Sequence, residues 1–297
     1  MSTLIERCRS GRVLSDGAMG TELQRAGLEI GDLGERWNLE APDRVAAIHR
    51  AYLDAGAEVI TTNSFSASPW VLGRYGLAAD VDRVNRAAAV IARKAAGAGA
   101  VVLGDIGPFG GLLAPLGEVA IDDVSASFGR QARALLDGGA DGIIVETMSA
   151  IEEAVAAVRA ACEAGAPIVV ASMAFERRGK AGLRTMMGVA PADAARALAA
   201  AGAAVVGANC GTGLDVADFG EIADAMRDAS GLPVIVQPNA GRPQLVDGRA
   251  VYVMSPETFA TGVAAIAGRH TGIVGGCCGT TPAHIAALAA GLATVTT

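Results

Sequence analysis

Short apolar segments alternate with longer amphipathic segments eight times along this 297-residue chain. The apolar segments are rich in Val and Ile, and several end at Gly, Asn, Asp or Pro, as buried β-strands do. The longer segments are rich in Ala and have the length of α-helices. Eight successive strand and helix units predict a parallel sheet covered by helices. The predicted strands lie at residues 12–16, 58–63, 100–105, 142–147, 167–172, 204–209, 233–238 and 272–277.

The predicted helices have recognisable first and last turns. Pro42, Pro191, Pro256 and Pro282 stand where helices would begin, and proline is tolerated in a first turn. Phrases such as LDAGAEV and LDGGADG place glycine between a helix and the next strand, where it accepts the positive φ that often ends a helix. The predicted helices lie at residues 42–55, 80–96, 122–138, 150–164, 191–201, 215–230, 256–268 and 282–292.

Eight units favour a closed (β/α)8 TIM barrel, formed as a single domain by residues 1–297, over an open doubly wound sheet. An open sheet of that kind usually carries a G-x-G-x-x-G turn after its first strand, and DGAMGT does not match it. Long connections at residues 17–41 and 106–121 follow the first and third strands. Connections that follow barrel strands form the catalytic face, so we expect both of them there.

Charge and composition narrow the range of partners. The formal net charge is −7 and Lys and Arg form no cluster, so neither nucleic acid nor an anionic membrane is an expected partner. The first residues lack the apolar core of a signal peptide, and we expect a soluble, cytoplasmic protein. The Ala-rich outer helices are compatible with a homo-oligomer.

Three of the five cysteines fall at predicted strand ends. Cys210 follows the sixth strand, and Cys277 and Cys278 end the eighth, so closure of the barrel would bring them to one face. The odd cysteine count without a secretory signal favours reduced thiols. Three thiolates without a fourth nearby Cys or His describe a metal site with one open position, which indicates catalysis. Soft sulfur ligands favour zinc over magnesium or calcium.

Other interpretations of these cysteines are open at this point. Free cysteine often packs as a small apolar residue, which is our interpretation of Cys8 and Cys162. A disulfide between Cys277 and Cys278 would be strained and would leave Cys210 unexplained. A non-enzymatic zinc or redox-sensing barrel would use the same cysteines without an acidic pocket. A metal-free enzyme for a phosphorylated substrate would need a phosphate-binding turn where GGCCGTT stands.

Five motifs between about residue 12 and about residue 292 carry a family resemblance: DGAMGTELQRAG, TTNSF, Glu146–Thr147, GANCGTG and GGCCGTTPAHI. In this order they resemble the homocysteine S-methyltransferases, which include modules of cobalamin-dependent methionine synthases and the betaine–homocysteine methyltransferases. The resemblance implies that Cys210, Cys277 and Cys278 bind zinc and that the homocysteine sulfur takes the remaining position. Zinc would lower the pKa of that thiol, and methylation of the thiolate would give methionine.

The resemblance also implies a substrate site. Asp16 and Glu146 end the first and fourth predicted strands, match family carboxylates and suit the ammonium group of homocysteine. Backbone N–H groups from Gly17 to Gly20 offer a place for its carboxylate. Asn239 matches an asparagine that in methionine synthases can occupy the fourth position of zinc before homocysteine arrives, although Pro-Asn-Ala-Gly is also ordinary turn sequence.

The motifs leave the methyl donor open. Trp37 matches a tryptophan of the betaine enzymes and would help to enclose a quaternary ammonium ion, yet Ser66 and Thr147 stand where those enzymes carry tyrosine. TTNSF and QPNAG lean toward the methionine synthases, whose methyl group comes from a corrinoid on other domains. The alternatives are betaine, S-methylmethionine, S-adenosylmethionine, or a methylcorrinoid carried by a separate protein.

Overall fold

Eight parallel strands form a barrel in the computed structural model, which describes residues 4–10, 12–246, 249–267 and 271–294. Each strand overlaps the segment predicted for it, so the predicted barrel is confirmed. The eighth strand ends at Val274 rather than at Cys277, because the chain then enters a turn closed by Thr280. The strands are β1 (Val13–Leu14), β2 (Val59–Thr61), β3 (Val101–Ile106), β4 (Gly142–Met148), β5 (Val169–Met173), β6 (Val205–Cys210), β7 (Val234–Pro238) and β8 (Thr271–Val274).

Two short strand pairings close the sheet on itself. β1 pairs with β8 in parallel, with Leu14 opposite Val274. On its other side, the continuation of β1 meets β2 through a bridge between Ser15 and Val59, and the Asp16 N–H donates to the Val59 carbonyl at 3.0 Å. The remaining strands pair with their neighbours in chain order. Closure therefore places Asp16 at the carboxyl end of β1, beside β2.

Eight helices follow the strands, and each overlaps its prediction. All four prolines named above are the first residues of helices. Gly202 and Gly231 adopt φ of 114° and 68° immediately after two of the helices, as expected of helix-ending glycines. Gly268, the predicted end of the seventh helix, lies outside the described residues. The helices are α1 (Pro42–Asp54), α2 (Val81–Ala96), α3 (Ile121–Asp137), α4 (Ile151–Glu163), α5 (Pro191–Ala201), α6 (Val216–Ser230), α7 (Pro256–Ile266) and α8 (Pro282–Thr294).

A short helix, Leu4–Ser10, closes the amino end of the barrel. Its Leu4 and Cys8 pack into an apolar cluster with interior residues of the strands, among them Val13 and Val205. The burial of Cys8 agrees with its predicted role as a small apolar residue. The same prediction for Cys162 was wrong, because that residue lies on the exposed side of α4.

The two long connections differ in what they contribute to the opposite end of the barrel. Residues 17–41 form the helices Met19–Arg25 and Trp37–Glu40 and line a cleft there. In residues 106–121, the Phe109 ring packs on Trp70 at a centroid distance of 5.7 Å. The first connection is therefore a wall of the cleft, whereas the second supports the segment that follows β2.

Two hairpins at this end were not predicted. One joins Phe175–Arg177 to Leu183–Thr185 after β5, and the other joins Gln244–Val246 to Arg249–Val251 after β7. Both strands of each hairpin are three residues long, too short for a visible alternation. Among the described residues, no helix combines the length and the apolar composition that a membrane span requires.

Candidate metal and substrate site

Three sulfur atoms converge at the carboxyl end of the barrel. Cys210 ends β6, and Cys277 and Cys278 follow β8. Their Sγ atoms all lie within 4.8 Å of one another, and Cys210 Sγ is 4.0 Å from Cys278 Sγ. Sulfurs about 2.3 Å from a tetrahedral zinc ion are about 3.8 Å apart. The observed spacing therefore fits a metal ion held by three thiolates.

The glycines before the paired cysteines let the chain pass close to β1. A Cβ on Gly275 would lie 2.0 Å from Ser15 Oγ and 2.7 Å from the Asp16 carbonyl oxygen. The Gly276 N–H donates to that carbonyl at 3.0 Å, and the Cys277 N–H donates to the Pro238 carbonyl at 2.8 Å. Glycine is thus required at position 275, and these bonds fix both cysteines relative to β1 and β7.

Backbone strain marks the same end of the barrel. Among the described non-glycine residues, Thr147 and Cys210 adopt positive φ, at 60° and 56°. Such conformations cost on the order of 1 kcal/mol or more and persist where surrounding contacts hold them. Thr147 follows Glu146 in β4, and Cys210 is a sulfur ligand candidate. The strained positions therefore coincide with both halves of the predicted site.

The three thiols share their charge in a way that favours a bound cation. Hydrogen bonds from Cys277 and Cys278 hold the pKa of Cys210 well below its usual range, at about 3. The hydrogen bond to Cys210 raises the pKa of Cys278 to about 12 and raises that of Cys277 as well. The hydrogen bonds among the three sulfurs therefore favour ionisation of the Cys210 thiol over that of the other two. Loss of the second and third protons requires a compensating cation, which a soft divalent metal supplies.

Asn239 and Tyr252 lie next to the sulfurs. Asn239 Nδ2 is 3.8 Å from Cys210 Sγ, while Asn239 Oδ1 is buried without a hydrogen-bond partner among the described residues. Tyr252 was not predicted; its ring fills the space beside Gly279, where a Cβ would lie 2.2 Å from Tyr252 Cγ. Burial and the charge of Cys278 raise the pKa of Tyr252, so its hydroxyl stays protonated and can donate to that sulfur.

A cleft of about 480 Å³ opens beside the sulfurs. Its walls come from the first long connection, from the segment after β2 and from the carboxyl ends of the strands. All three cysteines line it together with Gly17 and Glu146, so the structure brings most of the predicted residues to one space. A ligand in this cleft would touch the three cysteines and a carboxylate at the same time.

Asp16 is buried and Glu146 is half-buried, and the pKa of each carboxyl is raised. Asp16 lies beneath the cleft wall, where Asp16 Oδ2 accepts the Thr61 N–H at 2.8 Å. Burial raises the pKa of Asp16 to about 7. Burial also raises the pKa of Glu146 to about 8, and the charges of Asp16 and Cys210 add to this effect. A bound cation would stabilise the ionised form of both groups.

Two further acidic residues complete the cleft. Asp105 is 5% exposed, lines the cleft and has an Oδ1 atom without a partner among the described residues. Burial and the charge of Glu146 raise its pKa. Glu35 also lines the cleft and accepts the Ser66 N–H at 2.6 Å. Asp105 ends its predicted strand, so the strand-end criterion used for Asp16 would have found it; Glu35 lies in an irregular connection without such a signal.

The predicted anion site at Gly17 to Gly20 is partly occupied by the protein itself. The Ala18 N–H donates to Thr280 Oγ1 at 3.1 Å and is not available to a substrate. A Cβ on Gly17 would lie 2.6 Å from the same Thr280 oxygen. Gly17 is therefore needed for close packing against the turn after Cys278.

Trp37 lies away from the cleft. Its ring packs under the guanidinium of Arg44, whose Cζ is 4.9 Å from the ring centroid, and it is absent from the residues that line the cleft. The structure therefore does not bring Trp37 together with the other predicted site residues. The aromatic side chains that do line the cleft are Phe65 and Tyr75.

Comparisons with known proteins agree with this geometry. A family model described as homocysteine S-methyltransferase matches residues 13–292. Methionine synthases of Mycobacterium leprae and Mycobacterium tuberculosis are each 36% identical to the chain over 98% and 95% of its length. The chain spans about a quarter (25%) of the length of these relatives.

Solved structures show the same likeness. The metallated form of the homocysteine methyltransferase MmuM from Escherichia coli matches with a TM-score of 0.77 and 25% identity, over 97% of this chain and 99% of that one. A pyruvate carboxylase structure from Rhizobium etli matches at 15% identity with a TM-score of 0.55, which reflects a shared fold alone.

Proposed function

The chain belongs to the homocysteine S-methyltransferase family, and on that premise we propose that it activates homocysteine as a thiolate on a zinc ion and methylates it to methionine. The proposed zinc ligands are Cys210, Cys277 and Cys278. The observation that carries the proposal is the convergence of these sulfurs within 4.8 Å at the wall of an acidic cleft. Zinc bound there would lower the pKa of the homocysteine thiol to near neutrality.

The acidic residues would hold the amino acid in place. We propose that Glu146 and Asp105 receive the ammonium group from the cleft wall, since both line the cleft and Asp105 Oδ1 has no other partner among the described residues. Asp16 would act from beneath, through its negative charge and its hold on Thr61. Binding at these carboxylates would orient the substrate side chain toward the sulfurs.

Asn239 is the proposed weak ligand in the absence of homocysteine. Its amide nitrogen now faces Cys210 Sγ and donates to the Gly211 carbonyl at 3.3 Å, so a half-turn that presents the unpartnered Oδ1 in place of that nitrogen would break this hydrogen bond. An amide oxygen is readily displaced by a thiolate, because zinc prefers sulfur and imidazole ligands.

The proposed donor is a small sulfonium or ammonium compound or a methylcorrinoid on a separate protein. Among these, betaine has the least structural support, since Trp37 does not line the cleft. The methionine synthases that match this chain are about four times its length, in keeping with a donor group on another part of those proteins. We also propose a cytoplasmic location, because a reducing compartment would preserve the free thiols.

Methionine formation is the direct test. The reduced, zinc-loaded protein is incubated with homocysteine and, in separate reactions, with S-methylmethionine, S-adenosylmethionine, betaine and methylcobalamin, and methionine is measured by mass spectrometry. We expect methionine with at least one donor and a large loss in the Glu146→Gln variant. A zinc-loaded protein that forms no methionine with any donor would refute the methyl transfer. Binding of zinc without effects of Asp16→Asn or Glu146→Gln would instead favour a non-enzymatic zinc or redox-sensing barrel.

A further inference from the structure

The side chain of Asn209 joins the metal and ammonium halves of the site. Asn209 precedes Cys210 in β6 and is 1% exposed. Its Oδ1 accepts the Thr147 N–H at 2.9 Å and the Ser172 hydroxyl at 2.6 Å. Its Nδ2 lies 2.6 Å from Thr147 Oγ1, 3.2 Å from Glu146 Oε2 and 3.8 Å from Cys277 Sγ.

These contacts fix which way the amide points. A backbone N–H can only donate, so the atom of Asn209 that faces the Thr147 N–H must be the oxygen. The nitrogen is therefore the atom that faces Glu146 and Cys277. A carboxylate and a thiolate are both acceptors, so a donor nitrogen is the atom that suits them.

The Asn209 amide nitrogen has two hydrogens but faces three acceptor atoms. One N–H is directed to Thr147 Oγ1, and the other is shared between Glu146 Oε2 and Cys277 Sγ. Both of these acceptors are negatively charged when substrate and metal are bound, and a hydrogen bond to a charged acceptor is stronger than a neutral one. One neutral donor thus stabilises negative charge both on Glu146, where the ammonium would bind, and on Cys277, where the metal would bind.

The backbone supports the same arrangement. Thr147, with φ of 60°, donates its N–H to Asn209 Oδ1 and accepts a hydrogen bond from Asn209 Nδ2 at its Oγ1. Cys210, with φ of 56°, is the next residue after Asn209. A β-branched residue at positive φ needs contacts that over-determine it. The amide therefore also stabilises the backbone conformations at positive φ that direct Glu146 and Cys210 toward the cleft.

We propose that Asn209 is a positioning residue that makes metal affinity and amino-acid affinity depend on the same side chain. The inference rests on the proposed function for the identity of the amino acid. Loss of the amide would remove a donor from Cys277 and from Glu146 at once, and would free Thr147. Each affinity should then fall about tenfold, the effect of one lost hydrogen bond to a charged group.

Two affinities measured separately test this inference. Zinc affinity is measured by competition with a chromophoric chelator. Amino-acid affinity is measured by calorimetry with 2-aminobutyrate, which has the ammonium and carboxylate groups of homocysteine and no sulfur. The variant is Asn209→Ala, and the matched control is Asn85→Ala. Asn85 is equally buried, but its Nδ2 donates to the Ala67 and Val81 carbonyls, away from the cleft.

The expected result is a loss of about tenfold in both affinities for Asn209→Ala and a change of less than about twofold for Asn85→Ala. A loss of only one affinity, or equal losses in both variants, would overturn the inference. A wild-type protein that binds neither zinc nor 2-aminobutyrate would instead overturn the proposed function.

A measurement on the wild-type protein covers the case in which Asn209→Ala does not fold. The chain contains asparagine at positions 38, 63, 85, 209 and 239. In protein labelled with 15N-asparagine, we expect the Asn209 amide resonances to shift on addition of zinc alone and of 2-aminobutyrate alone. If no side-chain amide responds to both additions, Asn209 does not link the two subsites.

Discussion

Cys210 Sγ lies 4.0 Å from Cys278 Sγ, although the two residues are 68 positions apart in the chain. Their strands are not neighbours, since β7 lies between β6 and β8. The sulfurs approach because both strands are in register with β7, through Cys210 opposite Pro238 and Val274 opposite Val236. The cluster of three cysteines is thus a product of sheet pairing, and any change that shifts these strands should weaken the proposed metal binding.

Replacement of Asp16 by asparagine should raise the stability of the folded protein and weaken its binding of 2-aminobutyrate. Burial raises the pKa of Asp16 to about 7, so the folded chain at neutral pH carries a costly buried charge. Asp16→Asn removes that charge and keeps an oxygen for the Thr61 N–H. We expect the free energy of unfolding at pH 8 to rise by on the order of 4 kcal/mol, and 2-aminobutyrate affinity to fall.

Denaturant unfolding at several pH values checks the sign of the Asp16 effect. A carboxyl whose pKa is higher in the folded state binds more protons folded than unfolded between about pH 4 and pH 7, so its contribution to stability falls as pH rises through that range. The gain from Asp16→Asn should therefore be absent near pH 3 and complete above pH 7. A gain of equal size at all pH values would point to packing instead.

Amino-acid binding should strengthen as pH rises. The pKa values of Asp16, about 7, and of Glu146, about 8, mean that both carboxyls are largely protonated at pH 6 in the empty cleft. An ammonium group binds the ionised forms, so the Kd of 2-aminobutyrate should decrease by roughly tenfold or more from pH 6 to pH 9. Calorimetry with this sulfur-free compound excludes ionisation of the substrate thiol as the cause. A flat profile would mean that neither carboxyl titrates in this range.

Asp105 should contribute to substrate affinity. Its unpartnered Oδ1 lines the cleft with Glu146, and an ammonium group would provide the missing hydrogen bond. For Asp105→Asn, we expect the KM for homocysteine to rise about tenfold with little change in kcat, because the residue acts in binding. Asp122→Asn, a change at an exposed carboxylate in the first turn of α3, is the control. An unchanged KM would assign the ammonium to Glu146 without Asp105.

The glycine before the cysteine pair should not tolerate a methyl group. In Gly275→Ala the new Cβ would meet Ser15 Oγ and the Asp16 carbonyl, so β1 and the segment that carries Cys277 must separate. We expect a loss of stability of on the order of 2 kcal/mol and weaker zinc binding. Gly20→Ala is the matched change, since nothing lies within 4 Å of a Cβ there. Equal thermal stability of the two variants would disprove this steric reason.

The barrel and its cysteines could be predicted because they depend on local patterns. The periodicity of strands and helices can be recognised from consecutive residues. The carboxyl ends of the strands form the catalytic face of a barrel, so Cys210 and Glu146 could be placed there from the sequence alone. Asn209 ends the predicted sixth strand and could have been found in the same way, but its contacts with Ser172 and Glu146 could not be predicted. Glu35 and Tyr252 could not be found, since neither ends a predicted strand. Trp37 illustrates the opposite error, because motif similarity did not reveal that its ring packs beneath Arg44.

The metal content of the reduced protein tests whether the three cysteines hold a zinc ion. Wild type, Cys278→Ala and Cys162→Ala are purified with zinc supplied, and bound metal is measured by mass spectrometry. Cys162 is an exposed cysteine on α4 and serves as the matched control. We expect one zinc per chain in wild type and Cys162→Ala, and loss of tight binding in Cys278→Ala. Full occupancy in Cys278→Ala, or no zinc in wild type, would contradict a zinc site at the three cysteines.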